Sequence, residues 1–294
     1  MARGRELFPA DRGLQARMVL ASVVTPLLVF AAVAAVVLVA PTRIVVFLII
    51  AVVIGVGMAI AAYANRDRPD PVSAADAPEL HAVVDRLCAI TALPKPVLYV
   101  DRERQPNSWV VARPRRPAEL HVTDGLLALL EPAELDAVIA HELAHLANHD
   151  ATVMTIVGGP GAVLMEGGRP LMRLGFWAVP GGVLAMGIGW LSRLGTNTLS
   201  RYRELSADAA SAAITGRPSA LASALGKVSG QIAWLPQEDL RAVAARDAFH
   251  LLPVSDHEGG HWFDATHPDV ATRIARLEAM ERRLQAARMP APRD

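Results

Sequence analysis

Residues Met18 to Ala40 and Ile44 to Ala64 form two apolar runs without a charge, separated only by Pro41, Thr42 and Arg43. Each run is long enough to cross roughly 30 Å of hydrocarbon as a helix. So short a connection predicts an antiparallel transmembrane hairpin, in which every backbone polar group is satisfied inside its own helix. A cleaved signal peptide is the alternative for the first run, but the run is long and a second apolar span follows at once. Arg3, Arg5, Arg12 and Arg17 precede the hairpin and Arg66 and Arg68 follow it, whereas its tip carries Arg43 alone. The positive-inside rule therefore puts both flanks in the cytoplasm. A hydrophobic fraction of 52% is high for a soluble chain and a charged fraction of 20% is too large for a wholly embedded one, so a mixed architecture is expected.

After Arg68 the chain becomes polar and proline-bearing, and from Pro78 to Ala92 the residues Leu80, Val83, Val84 and Leu87 fall on one helical face. Short strands are expected at Val97 to Val100, Ser108 to Ala112 and Glu119 to Val122, the last two joined by an Arg-Pro turn. Arg113, Arg115 and Arg116 in that turn form the one local basic cluster, read as a solvated turn or a contact for anionic lipid. The net charge is zero, which excludes a global electrostatic footprint for nucleic acid. One cysteine, Cys88, permits no intrachain disulfide and fits a reducing compartment.

Pro132, with Glu131, Glu134 and Asp136 around it, suits the first turns of a helix that runs to about Asn148. That helix contains His141-Glu142-Leu143-Ala144-His145. Positions i and i+4 share a helical face, so both imidazoles can bind one metal ion while Glu142 reaches a water held on it. This pattern is the core of a zinc hydrolase. A catalytic zinc has three protein ligands and an open position for water, so one more ligand is required. His149 lies about 12 Å along the axis from His141, too far to share bonds near 2 Å. Glu204 is the choice, on an alanine-rich helix that can cross the first, with Asp208 one turn later able to accept a hydrogen bond from a ligand imidazole. The alternative for Glu204 is an exposed helix carboxylate paired with an arginine.

Between these helices lie Thr152 to Met165 and Leu174 to Leu191, apolar but interrupted by Gly158-Gly159-Pro160-Gly161 and Pro180-Gly181-Gly182. They form a second, less certain membrane hairpin. If Glu204 completes the site, the number of crossings between the two halves is even, either two or none. His257 and His261 fall in a glycine-bearing loop and raise the question of a second metal site, and His81, His121 and His250 are read as structural.

Three segments, His141 to Asp150, Ser200 to Ala209 and Thr266 to Leu277, together with the leading spans, resemble the HtpX-type membrane zinc metalloproteases, gluzincins related to the CAAX prenyl proteases. The resemblance covers nearly the whole chain. It implies that His141, His145 and Glu204 bind one catalytic zinc ion per chain and that Glu142 is the general base. It also implies that His267 and Arg273 lie beside the site, where an N–H donor or a cation stabilises an oxyanion. The family's Asn-Ala-Phe-Ala-like edge strand has a looser counterpart in Asn107-Ser108-Trp109-Val110-Val111-Ala112, which makes Asn107, Trp109 and Val110 candidate substrate-binding residues. The alternative there is an ordinary core strand.

The expected fold is a mainly α integral membrane protein with a zincin-like α+β metalloprotease domain and a small sheet. Its parts are a cytoplasmic N-terminus (1–17), a transmembrane hairpin (18–64), a first half-domain (65–151), an apolar membrane-associated or spanning hairpin (152–191) and a second half-domain (192–294). The resemblance implies a multi-pass protein of the cell (inner) membrane that cleaves misfolded or damaged membrane proteins and unfolded polypeptides at the cytoplasmic face, with polypeptides and the lipid bilayer as partners. The competing readings are a CAAX-type prenyl-protein processing protease and a catalytically silent zinc-binding membrane scaffold.

Overall fold

The computed structural model describes residues 12–64, 70–112, 115–232 and 269–288, and among these it is mainly helical. Helices α1 (Arg12–Val39) and α2 (Thr42–Ala64) are followed by α3 (Pro78–Thr91) and strands β1 (Val97–Asp101), β2 (Ser108–Val111) and β3 (Glu119–Thr123). Then come α4 (Asp124–Leu129), α5 (Pro132–Ala147), α6 (Asp150–Leu171), α7 (Val179–Thr215), α8 (Pro218–Ile232) and α9 (Val270–Arg288). The chain divides into two compact units, one of residues 1–14, 69–151 and 200–294, the other of residues 15–68 and 152–199.

The second unit is built on backbone proximity. Helices α1 and α2 are both long and apolar enough to cross a membrane. Their outward residues are large hydrophobics, with Leu38, Val39 and Phe30 among the most exposed. The helices α6 and α7 are richer in glycine, and their glycines sit against neighbouring main chain. A Cβ on Gly167 would stand 1.7 Å from the Ala51 carbonyl oxygen, and one on Gly55 would stand 2.0 Å from that of Val163. Gly168 and Gly182 bring α6 and α7 together, a Cβ on either standing 2.8 or 2.9 Å from the carbonyl oxygen of the other. Small residues replace apolar bulk here because they let the backbones approach closely. Arg43 stands 5.9 Å from the Trp177 ring centroid.

Helix α6 is longer than the apolar stretch expected at 152–165, and α7 continues without a break past position 191 into the segment that carries Glu204. The boundary expected at 191/192 is therefore not an element boundary. Pro160 and Pro170 lie inside α6, and glycines flank the first of them.

In the other unit a three-stranded sheet of order β1-β3-β2 packs on helices. β1 runs parallel to β3, and β2 runs antiparallel to it with Ser108 opposite Val122 and Trp109 opposite His121. Alternation sorts the faces. Leu98, Val110, Leu120 and Val122 join Leu80, Val84 and Leu87 of α3, Val138, Ile139 and Leu143 of α5, Leu221 and Leu225 of α8 and Leu277 of α9 in one core. On the opposite face Tyr99, His121 and Trp109 stack across all three strands, with ring centroids 4.7 and 4.9 Å apart and planes within 11° and 6° of parallel. His121, read as structural, is the middle ring.

Helix α5 starts as its sequence dictates. Pro132 occupies the first turn and Glu131 and Glu134 close a reciprocal capping box. Ser223 and Lys227 of α8 both bond Glu134, tying the start of the motif helix to its neighbour. Burial opposes ionisation of Glu134, but the bonds from Lys227 and Ser223 outweigh it and hold its carboxyl below the usual range.

Candidate metal centre

The central turns of α5 are wholly enclosed, with every residue from Ala137 to Ala144 buried. His141 and His145 project from one face of it with their rings edge to face, centroids 4.7 Å apart and planes at 90°. Their Nε2 atoms are 3.1 Å from each other. Glu204, from the later part of α7, completes a triangle: Oε2 is 3.5 Å from His141 Nε2 and Oε1 is 3.5 Å from His145 Nε2. The sequence expectation that these three residues meet thus has its geometric counterpart, and they form a group able to hold a metal ion.

Each imidazole is oriented from behind. His141 Nδ1 lies 3.0 Å from Asp208 Oδ1 and His145 Nδ1 lies 2.6 Å from Asp150 Oδ2. Burial opposes the ionisation of both aspartates, but for Asp208 the charge of Arg273, and for Asp150 that of Arg203, outweighs it and holds each carboxyl well below its ordinary value. A carboxylate oxygen beside each Nδ1 favours the proton there, which turns the Nε2 lone pairs inward. Two lone pairs and a carboxylate then converge in a buried space, an arrangement that repels itself unless a cation or proton stands among them. Burial works against a charged His141, but the bonds to Asp208 and Glu204 outweigh it and push His141 up to about 9. Tetrahedral bonds of 2.0–2.1 Å imply ligand-to-ligand edges of about 3.3 Å; the two Nε2 atoms stand 3.1 Å apart and each is 3.5 Å from a different oxygen of the one Glu204 carboxylate, separations of that size. The residues therefore fit a zinc ion.

Arg273 of α9 is fully buried beside this group. Its Nε and Nη2 donate to the two oxygens of Asp208 at 2.9 and 2.7 Å, and Nη1 is 3.5 Å from Glu204 Oε2. Burial opposes its charge, but Asp208 and Glu204 more than compensate, so the guanidinium is held protonated. Its fork is engaged by carboxylates. His267 lies outside the described residues, as do His250, His257 and His261.

Glu142 follows His141 on α5, and the Ser108 hydroxyl donates to its Oε1 at 2.7 Å. The Thr123 N–H at the end of β3 donates to the carbonyl of Asn107, just before β2, so by antiparallel alternation the main chain of Asn107, Trp109 and Val111 faces β3 while that of Ser108 and Val110 faces the outer edge of the sheet. Asn107 Oδ1 accepts the Ser108 N–H at 2.9 Å. Trp109 is stacked on His121, and of the three substrate-binding candidates Val110 presents its main chain to that edge.

Two partners were not legible beforehand. Arg203 Nε lies 2.9 Å from Asp150 Oδ2, and both side chains are buried. Nothing about an arginine next to Glu204 indicates burial. Ser108 is equally silent, although its place on the core face follows once the strand phase is known.

A model of peptidase family M48 matches residues 74–281 of this chain. The chain is similar to protease HtpX homolog 1 of Streptomyces coelicolor, at 41% identity over 97% of this chain and 98% of that protein. It is also similar to protease HtpX homolog 2 of Methanosarcina mazei, at 40% identity over 72% of this chain and 76% of that protein. Among solved structures, S. mikatae Ste24p matches with a TM-score of 0.48 and 16% identity, over 71% of this chain and 51% of that one.

Proposed function

Because the chain belongs to peptidase family M48 and is a membrane metalloprotease, we propose that it is a zinc endopeptidase that cleaves unfolded polypeptides, among them damaged membrane proteins, at the cytoplasmic face of the cell membrane. The observation that carries this reading is the triangle of His141 Nε2, His145 Nε2 and Glu204 with Glu142 next to the first ligand on the same helix. A zinc ion held by these three residues supplies Lewis acidity toward a scissile carbonyl and lowers the pKa of water. Glu142 takes the proton of the attacking water and delivers it to the departing amide nitrogen. Asp208 and Asp150 fix the two imidazoles in the tautomer that presents Nε2. Arg273 holds Asp208 in place and neutralises carboxylate charge at the site, and His267 is a second candidate for contact with the oxyanion.

The substrate class follows from β2. The edge of β2 turned away from β3 carries the Val110 N–H and C=O, and main-chain bonds to an extended chain there are available to any sequence able to adopt a strand. Asn107 acts through Ser108, whose N–H it engages, and Trp109 stiffens the strand by stacking. Sidedness follows from arginines on both flanks of the first hairpin against one at its tip. In this reading α6 and the first part of α7 form a second spanning hairpin. Supporting it are their glycine contacts with α2 and with each other, and Phe176 and Trp177, which are 81% and 70% exposed between them, as suits aromatic side chains at a lipid interface.

The test uses full-length wild type and Glu142→Gln in detergent, with zinc per chain measured alongside cleavage of an unfolded protein. The expected result is one zinc in both and turnover lower by about 10²- to 10⁴-fold in the variant. Unchanged turnover in Glu142→Gln sinks the mechanism. Cysteines placed near Gly168 that react only from the cytoplasmic side sink the second spanning hairpin.

A further inference from the structure

We propose that Ser108 is a positioning residue for the reaction, clamping the general base against strand β2. The inference rests on the reading of Glu142 as base. Ser108 is 0% exposed and Glu142 2%. The hydroxyl donates to Glu142 Oε1 at 2.7 Å across 34 positions of sequence. A bond from a hydroxyl to a buried carboxylate is charge-assisted and short, which restricts the carboxylate to one rotamer. A general base works only within hydrogen-bond reach of the proton that it removes, so a carboxylate free to rotate loses part of its rate even where metal and substrate are bound normally.

The placement of Ser108 is fixed on both sides. Its hydroxyl reaches Glu142, and its N–H, turned away from β3, is held by Asn107 Oδ1. Oε1 of Glu142 is engaged by Ser108, which leaves Oε2 to take up the proton. The action of Ser108 runs through Glu142.

The experiment compares wild type, Ser108→Ala, Ser108→Thr and Glu142→Gln as full chains in detergent, with kcat and KM on an unfolded protein, zinc per chain and Tm. The expected result for Ser108→Ala is kcat lower by roughly tenfold, with KM, zinc content and Tm near wild type. Ser108→Thr, which keeps the hydroxyl, recovers most of the lost kcat. A wild-type kcat in Ser108→Ala overturns the proposal, as does a loss that follows KM, zinc or Tm, because that marks a structural role. A folded Ser108→Thr no better than Ser108→Ala overturns it too. If Glu142→Gln is inactive and Ser108→Ala is wild type, only the clamp fails. If Glu142→Gln retains full turnover, the assignment of the base fails first.

Discussion

Replacing Arg273 by alanine tests the electrostatic frame of the site most directly. The guanidinium is fully buried and makes two bonds to Asp208 and one close approach to Glu204. Its removal leaves two carboxylates in a buried space with one fewer positive charge. Breaking one partner of a buried ion pair costs about 3–5 kcal/mol, a large part of the 5–15 kcal/mol that typically holds a domain together. At about 2–4 °C per kcal/mol for a chain of this size, Tm falls by roughly 6–20 °C. The assay is thermal unfolding of the full chain in detergent with excess chelator, so that metal does not mask the loss. Asp208→Asn removes the stranded charge, so the double variant Arg273→Ala/Asp208→Asn is less destabilised than the sum of the singles by about 2 kcal/mol. Arg273→Lys keeps the charge but cannot form the fork, and falls between wild type and alanine. A loss under about 1 kcal/mol, or additive single and double variants, would refute the claim that the guanidinium and Asp208 stabilise each other.

Asp150→Asn frees His145 Nδ1 from its anionic partner and strands Arg203, so zinc affinity measured by chelator competition falls by about 10- to 100-fold. Affinity equal to wild type would show that Asp150 does not orient the ligand. Gly167→Ala places a Cβ against the Ala51 carbonyl and forces α2 and α6 apart, costing about 1–3 kcal/mol in detergent melting, whereas Gly159→Ala meets nothing within 4 Å and melts like wild type. Equal melting of the two variants counts against the close packing. Glu134→Ala removes the capping box and the bonds from Ser223 and Lys227, costing about 1–2 kcal/mol at neutral pH. Because the folded pKa of Glu134 is depressed, its contribution is complete above its ordinary value of 4.5 and is lost as pH falls through the folded value. The gap between wild type and variant therefore closes in acid, and a gap that widens there contradicts the sign.

What could be read from sequence follows the range of the forces involved. The leading hairpin and α5 are set by local pattern, an uncharged run or a proline-led helix with i, i+4 histidines, and both stand where that pattern puts them. Strands β2 and β3 were legible because a turn joins them, but the parallel pairing of β1 with β3 depends on chain brought together through β2. Glycine and proline lowered the apparent apolarity of α6 and the start of α7 because contacts between backbones take over from apolar bulk there. Asp208 was accessible as one helical turn beyond Glu204. The Arg203–Asp150 and Ser108–Glu142 pairs were not, since each joins residues more than 30 positions apart with no periodicity to announce them.

The stacked rings on the outer face of the sheet have a consequence for how the enzyme comes to exist at all. Tyr99, His121 and Trp109 align only when Tyr99 stands beside His121 on one side and Trp109 beside it on the other. A slip of β2 by one residue reverses its two faces, driving an indole into the core and swinging the Ser108 hydroxyl away from α5. The ring ladder thus acts as a registration key: the stack across the three strands and the bond from Ser108 to Glu142 form together, in one register of β2 and no other.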